Sequence, residues 1–127
     1  MWALLAVISF RAAILSQVVC TESADLPNRE ERMAVAWCVL NRVDSEQFPD
    51  TVWEVVNQPG QFSLYSLENE IDPEIYRECW YVAAGHITGS ERSLPEEYVF
   101  YIGDGKHNYF RKEYKSTERY IGGKDVY

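Results

Sequence analysis

The segment from Asn28 to Val43 constrains the fold most strongly, because its apolar residues recur at the spacing of one helix face. They step by three and four along the chain: Met33, Ala36, Trp37, Leu40 and Val43. A helix with such a face must bury it against other elements. Asn28 is expected to cap the helix, and Glu30 and Glu31 lie in its first turn, where the helix dipole favours negative charge. The sequence therefore predicts a central buried helix.

Two further helices are predicted downstream from their capping residues. Thr51 is expected to cap a short helix that runs through residue 56. Asp72 is expected to cap a longer helix over residues 73–86, with a proline in the first turn, where a missing N–H does no harm. These caps, together with the central segment, predict a fold in which helices dominate.

The chain begins with an apolar run whose role the sequence leaves open. Residues 2–10 have the length of a secretory signal core and are too short to span a bilayer, so no stable membrane insertion is expected. No positive charge precedes them, and the apolar stretch continues to Val19. A poor export signal and an apolar extension of a first helix both fit. The helical spacing favours a helix over residues 12–21, followed by a loop over residues 22–27.

From Tyr98 onwards the chain is rich in Tyr, Phe, Gly and Lys and has no helical period. This part is expected to form extended strands or irregular segments laid over the helices. Alternation along a strand would place Tyr98 and Phe100 on one face and Val99 and Tyr101 on the other. The predicted fold class is mostly α (α+β), a single domain with a short β or irregular C-terminal part.

Composition and charge exclude several classes of function. The 127 residues fit one domain, and the formal net charge of −8 disfavours nucleic acid as a partner, because phosphate backbones are bound by clustered Lys and Arg. Three cysteines without CxxC spacing and only two histidines make a metal site improbable, so no cofactor is expected. Cys20 could act as a nucleophile only with a histidine partner, and the sequence cannot place His86 or His107 beside it.

Glu22 is the first residue with possible chemistry. It directly follows an apolar stretch at the end of a predicted helix, where burial and the negative end of the helix dipole both disfavour ionisation. A carboxyl group kept protonated in this way can serve as a general acid. An ordinary solvated glutamate at a helix end is the alternative.

A second candidate is the turn at residues 58–63, which presents amide, aromatic and hydroxyl side chains together. Such a set suits a sugar site, where rings stack on aromatic side chains and hydroxyl groups pair with amides. Pro59 and Gly60 mark the tight turn. An ordinary surface turn, with Phe62 filling the core, is the alternative.

The order of these features resembles the cell wall hydrolase family typified by the SleB spore-cortex lytic enzyme. Glu22 and the segment at residues 30–43 are similar to the family's A-E-A-R-G-E stretch and its E-G-Q-x-A-V-A-x-V-x-L-N-R-V helix. Residues 48–52 match its F-P-[ND]-T-V, and residues 58–63 match its Q-x-x-Q-F-S. Residues 98–101 align with its apolar-Phe-Tyr strand. The resemblance covers residues 12–127 and leaves 1–11 as an uncertain apolar segment.

The resemblance implies a lysozyme-like catalytic domain that attacks the β-1,4 bond between N-acetylmuramic acid and N-acetylglucosamine of peptidoglycan. It makes Glu22 the catalytic residue, with Tyr101 hydrogen-bonding nearby. It places three residues along the substrate cleft: Gln61, Phe62 and Ser63. This sequence departs from the family in lacking R-G-E after Glu22 and in having Asp125 where a histidine is usual.

The implied reaction leaves alternatives open. Lytic transglycosylation uses one glutamate as acid and then base, whereas most hydrolytic glycosidases use two carboxylates. We favour the first, with simple hydrolysis and a catalytically inactive wall-binding domain as alternatives. The resemblance further implies a monomer whose partner is the glycan strand. Such a protein acts outside the cell or in its envelope, and a bacterial and a phage origin both fit.

Overall fold

The computed structural model describes residues 2–23, 29–59, 62, 70–90, 92–103, 108–113, 119–121 and 124–126. Helices occupy most of the first 88 residues: α1 (Trp2–Ser23), α2 (Arg29–Asp44), α3 (Val52–Val56) and α4 (Pro73–Thr88). The remainder forms one antiparallel sheet in chain order: β1 (Phe100–Gly103), β2 (Asn108–Arg111), β3 (Arg119–Ile121) and β4 (Lys124–Val126). The predicted fold class, mostly α (α+β) with a short C-terminal β part, is confirmed.

The hydrophobic core lies between α1, α2 and α4. Helix α1 packs most extensively against α4 and also contacts α2 and α3, while β1 lies against α2. The core residues include almost fully buried side chains from each layer: Leu15, Val18, Val35, Val39, Leu40, Val55, Val82 and Phe110. Burying each aliphatic side chain of this kind contributes roughly 1.5–3 kcal/mol, so this three-helix core carries much of the stability.

The caps of α3 and α4 are those that the sequence predicts. The Thr51 hydroxyl accepts a hydrogen bond from the Glu54 backbone N–H at 3.1 Å. The Asp72 carboxylate accepts from the backbone N–H of Glu74 at 2.8 Å. Helix α4 then ends at Gly89, whose φ of 77° is a left-handed conformation that glycine adopts without strain.

The first helix differs from its prediction at both ends. It begins at Trp2 and continues through Ser23, so the loop predicted from residue 22 is wrong and Glu22 lies in the last helical turn. No helix-breaking residue separates Trp2 from Pro27, and the apolar run therefore continues the helix in both directions. The predicted cap at Asn28 lies outside the described residues.

The alternation predicted from Tyr98 is also wrong at its beginning. Strand β1 starts at Phe100, and the two residues before it, Tyr98 and Val99, are both buried at 5% exposure. They are buried together because this non-strand segment is fastened to α2. Alternation therefore applies only from Phe100 onwards.

Asn41 connects α2 by hydrogen bonds to the segment that leads into β1. Its side-chain N–H₂ donates to the backbone carbonyls of Pro95 and Tyr98 at 2.9 and 3.0 Å, and its oxygen accepts from Arg92 at 2.6 Å. The next residue, Arg42, donates from Nε to the Val99 carbonyl at 2.6 Å. Two adjacent helix residues thus fix the position at which β1 begins.

A polar cluster ties α1, α2 and α4 together at the end of α4. The Arg11 guanidinium donates to His86 Nδ1 at 3.2 Å, which leaves Nε2 as the protonated nitrogen that donates to Asp44 at 2.9 Å. Arg92 also donates to Asp44, at 2.6 Å. Burial alone would raise the pKa of Asp44, but the bonds from Arg92 and His86 outweigh it and lower that pKa.

Replacing Asn41 with Ala should destabilise the fold strongly, because it leaves the buried carbonyl of Tyr98, the partly buried carbonyl of Pro95 and the Arg92 donor without this partner. We expect a loss of about 2–4 kcal/mol in unfolding free energy, measured by urea denaturation. Asn57→Ala is the matched control, since Asn57 is exposed and its side chain bonds only locally to the Trp53 carbonyl. Equal losses for the two variants would contradict the fastening role of Asn41.

Candidate active site

Glu22 lies in the last turn of α1, where its side chain is partly buried. Burial raises the pKa of its carboxyl group above the ordinary value of 4.5, because the charged form loses hydration. The Tyr101 side chain is hydrogen-bonded to this carboxyl group and offsets part of the rise. The net direction is upward, towards the protonated form that a proton donor requires.

Tyr101 reaches Glu22 from β1. The strand position is fixed by pairing with β2, in which Tyr101 lies opposite Phe110. Burial, and next the nearby charge of Glu22, raise the pKa of the Tyr101 hydroxyl far above its ordinary value of 10. The phenol therefore keeps its proton and donates it in the hydrogen bond to Glu22. This contact joins the end of α1 to the sheet.

Phe62 is the part of the predicted cleft segment that the structure describes. It is buried at 6% exposure, and its ring centroid lies 6.4 Å from that of Tyr101. The ring thus belongs to the core and lies beside Tyr101, in keeping with the core-filling alternative that its sequence position leaves open. Gln61 and Ser63 lie outside the described residues.

The Arg42 side chain lies among three aromatic rings near the candidate site. Its guanidinium carbon lies 4.9, 5.3 and 5.7 Å from the ring centroids of Phe48, Phe62 and Phe100. The side chain is nearly buried, at 4% exposure, where a cation over an aromatic face gains about 2 kcal/mol or more. Through Phe62 and the strand that carries Phe100, this one cation supports the position of Tyr101.

Glu31 is a site-region residue whose position the sequence does not reveal. It is assigned above to the first turn of a helix, where the dipole favours it, and a solvated position would fit that role. In the structure Glu31 is fully buried, and its Oε2 accepts from the backbone N–H of Asn108 at 3.3 Å. The signal that could identify it is weak, since two consecutive glutamates in a first turn usually both face water.

The cysteines have surroundings that do not suit a nucleophile. All three are free thiols, and burial raises the pKa of Cys38 to about 11 and that of Cys79 higher still. His86 contacts Arg11, and Arg11 lies nine residues before Cys20 on α1, or about 13 Å by helical rise. His107 lies outside the described residues. Within the residues described, no three His, Cys, Asp or Glu side chains group so as to hold a metal ion.

Glu22 is a partly buried carboxyl group with a raised pKa, hydrogen-bonded to the protonated phenol of Tyr101, which packs beside aromatic rings. This arrangement is typical of enzymes that use a carboxylic acid as proton donor. Residues 28–124 match the family model described as Cell Wall Hydrolase, and the chain belongs to that family. Its substrate is accordingly peptidoglycan, a polymer found outside the cell or in its envelope. Glu22 precedes the matched region. No curated protein and no solved structure matches the chain.

Replacing Tyr101 with Phe should raise the pKa of Glu22 further, because the carboxylate loses the hydrogen bond that stabilises its charge. The measurement is a ¹³C NMR titration of the Glu22 side-chain carboxyl carbon. Tyr81→Phe, at an exposed tyrosine, is the matched control. An unchanged or lower Glu22 midpoint in Tyr101→Phe would refute the role of this bond.

Proposed function

We propose that this cell wall hydrolase cleaves the β-1,4 bond between N-acetylmuramic acid and N-acetylglucosamine by lytic transglycosylation, with Glu22 as its single catalytic carboxyl group. The observation that carries the proposal is the raised pKa of Glu22 beside the Tyr101 hydroxyl. Burial shifts Glu22 towards its protonated form, and the hydrogen bond from Tyr101 stabilises the carboxylate once that proton has been given away.

The surroundings of the neighbouring carboxylates support a mechanism with one acid. Glu31 has no exposed surface, so it offers nothing for a water molecule or a sugar to approach. Glu78 is bound to Arg32 at 2.7 Å in a largely buried ion pair. A hydrolase with two carboxylates needs a second group that faces the substrate. Neither of these two meets that requirement. Of the other candidates for a second carboxylate, Glu30 is exposed in the first turn of α2, and Asp25 lies outside the described residues.

The reaction then needs two proton transfers by the same side chain. Glu22 donates its proton to the glycosidic oxygen as the bond from that oxygen to C1 of N-acetylmuramic acid breaks. The N-acetyl group of the substrate stabilises the positive charge that develops at C1. The Glu22 carboxylate next accepts the proton of the C6 hydroxyl, whose oxygen attacks C1 and closes a 1,6-anhydro ring. No water is consumed, and Glu22 ends protonated as it began.

The remaining site residues are assigned supporting roles. Tyr101 orients the Glu22 carboxyl group and moderates its pKa. Phe62, with little exposed surface, packs beside Tyr101. Gln61 and Ser63 are proposed to contact the sugar, on the strength of their place in the family motif.

Glu22→Gln keeps the shape of the side chain and removes the proton. We expect the clearing of purified peptidoglycan, followed as turbidity, to fall by about a hundredfold or more. Glu46→Gln is the matched control, because Glu46 is an exposed glutamate in the turn after α2. Clearing by Glu22→Gln at the wild-type rate would show that another group donates the proton. Binding of the wild-type protein to the wall without release of soluble fragments would favour an inactive wall-binding domain.

The nature of the products decides between the two reaction types. Mass spectrometry of the released muropeptides should find species lighter by one water than the hydrolytic products, since ring closure replaces the attack of water. Reduction with borohydride supplies the control, because 1,6-anhydro ends lack a reducing aldehyde and stay unchanged. Products that all carry reducible ends would establish simple hydrolysis and exclude transglycosylation.

A further inference from the structure

The N-terminal part of α1 presents an unusual surface. Five large apolar side chains of this part are exposed: Trp2 at 88%, Leu4 at 45%, Leu5 at 41%, Val7 at 42% and Phe10 at 59%. Trp53 of α3, 44% exposed, borders a groove of about 360 Å³ together with Val7 and Phe10. We call residues 2–10 the apolar segment. Exposed apolar surface of this extent usually marks a contact with a protein or a membrane.

The exposed positions surround the helix rather than forming a stripe. Residues 2–7 are six consecutive exposed positions, more than one full turn, whereas Ile8 at 4% exposure turns into the core. The apolar segment contains no charged residue. A helix that is apolar on every side is stable where its whole circumference is surrounded by apolar material. Hydrocarbon provides such surroundings, whereas a protein partner with a single contact face covers only one side.

The small contact area of the apolar segment argues against a second copy of the chain as its partner. The apolar segment is about 14 Å long, so a contact along one side covers only two or three side chains of each protomer. A stable interface buries roughly 800 Å² per partner, which is several times more than such a contact supplies. The apolar segment alone is therefore too small for dimerisation.

The boundary of the segment is marked by Arg11. Its guanidinium is bonded to His86 of α4, and the residues beyond it belong to the core, with Ala12 and Leu15 fully buried. By length and composition α1 could cross a membrane, but its second half is buried inside the folded domain. Within α1, only the apolar segment apart from Ile8 is available to lipid. The length of the apolar segment is about half the thickness of a bilayer's hydrocarbon core, enough to enter one leaflet.

We propose that the apolar segment inserts into one leaflet of a lipid bilayer and holds the folded domain at the membrane surface, contrary to the expectation from the sequence that no stable membrane insertion occurs. Glu22 belongs to the same continuous helix, twelve residues after Phe10. At 1.5 Å per residue the carboxyl group stands about 18 Å along the helix from the edge of the hydrocarbon. The proposal extends the function of the domain but does not rest on its catalytic mechanism.

Vesicle flotation with the full chain tests the insertion directly. Uncharged phosphatidylcholine vesicles are the probe, because the net charge of −8 then contributes nothing to binding. The wild-type protein should float with the vesicles. The double variant Leu4→Glu/Val7→Glu places two charges in the hydrocarbon and should lower the partition coefficient by about a hundredfold or more. The matched control Tyr81→Glu/Ile102→Glu alters two equally exposed apolar residues elsewhere and should float as the wild type does.

Three outcomes would overturn the proposal. They are a wild-type protein that stays with the unbound fraction, equal flotation of all three proteins, and lipid-free dimers that Leu4→Glu/Val7→Glu disperses in sedimentation analysis. A second measurement does not depend on the folding of the charged variant. Acyl-chain bromines should quench tryptophan emission strongly in the wild type and much less in Trp2→Phe. Equal quenching in the two proteins would show that Trp2 stays in water.

Discussion

The burial of the Arg42 guanidinium among aromatic rings is the interaction on which the geometry of the candidate site depends. A buried cation needs compensation, and here the faces of Phe48, Phe62 and Phe100 and the carbonyl of Val99 supply much of it. Arg42 itself belongs to α2. Phe48 lies in the loop after α2, Phe62 between α3 and α4, and Phe100 in β1. A single side chain thereby brings four separate parts of the chain to one point, and Tyr101 is positioned as a result.

Residues 41 and 42 show why a short motif can matter without touching substrate. Asn41 donates hydrogen bonds to the carbonyls of Pro95 and Tyr98 in the segment before β1. Arg42 donates to the carbonyl of Val99, the residue directly before β1. The adjacent side chains leave α2 about 100° apart, so they hold two different parts of the same loop. Much of the architecture around the Glu22–Tyr101 pair follows from these two neighbours.

The elements that could be predicted from the sequence are those governed by local rules. Thr51 and Asp72 cap their helices because a capping side chain meets backbone N–H groups only two or three residues away. The full burial of Glu31 could not be predicted, because its partner is the backbone of Asn108, seventy-seven positions distant. Glu22 could be proposed as an acid from its apolar context, whereas its contact with Tyr101 is expected only from the family resemblance, because it depends on strand pairing that no local pattern encodes.

The continuity of α1 has a mechanical consequence. Helix α1 runs without a break from the exposed apolar segment, through the core, to Glu22 near its end. These three parts therefore move as one rigid element. With the apolar segment inserted as proposed, the enzyme would diffuse in the plane of the membrane, and its search for glycan strands would become two-dimensional. The strands it can meet are then selected by their height above the lipid as well as by their chemistry.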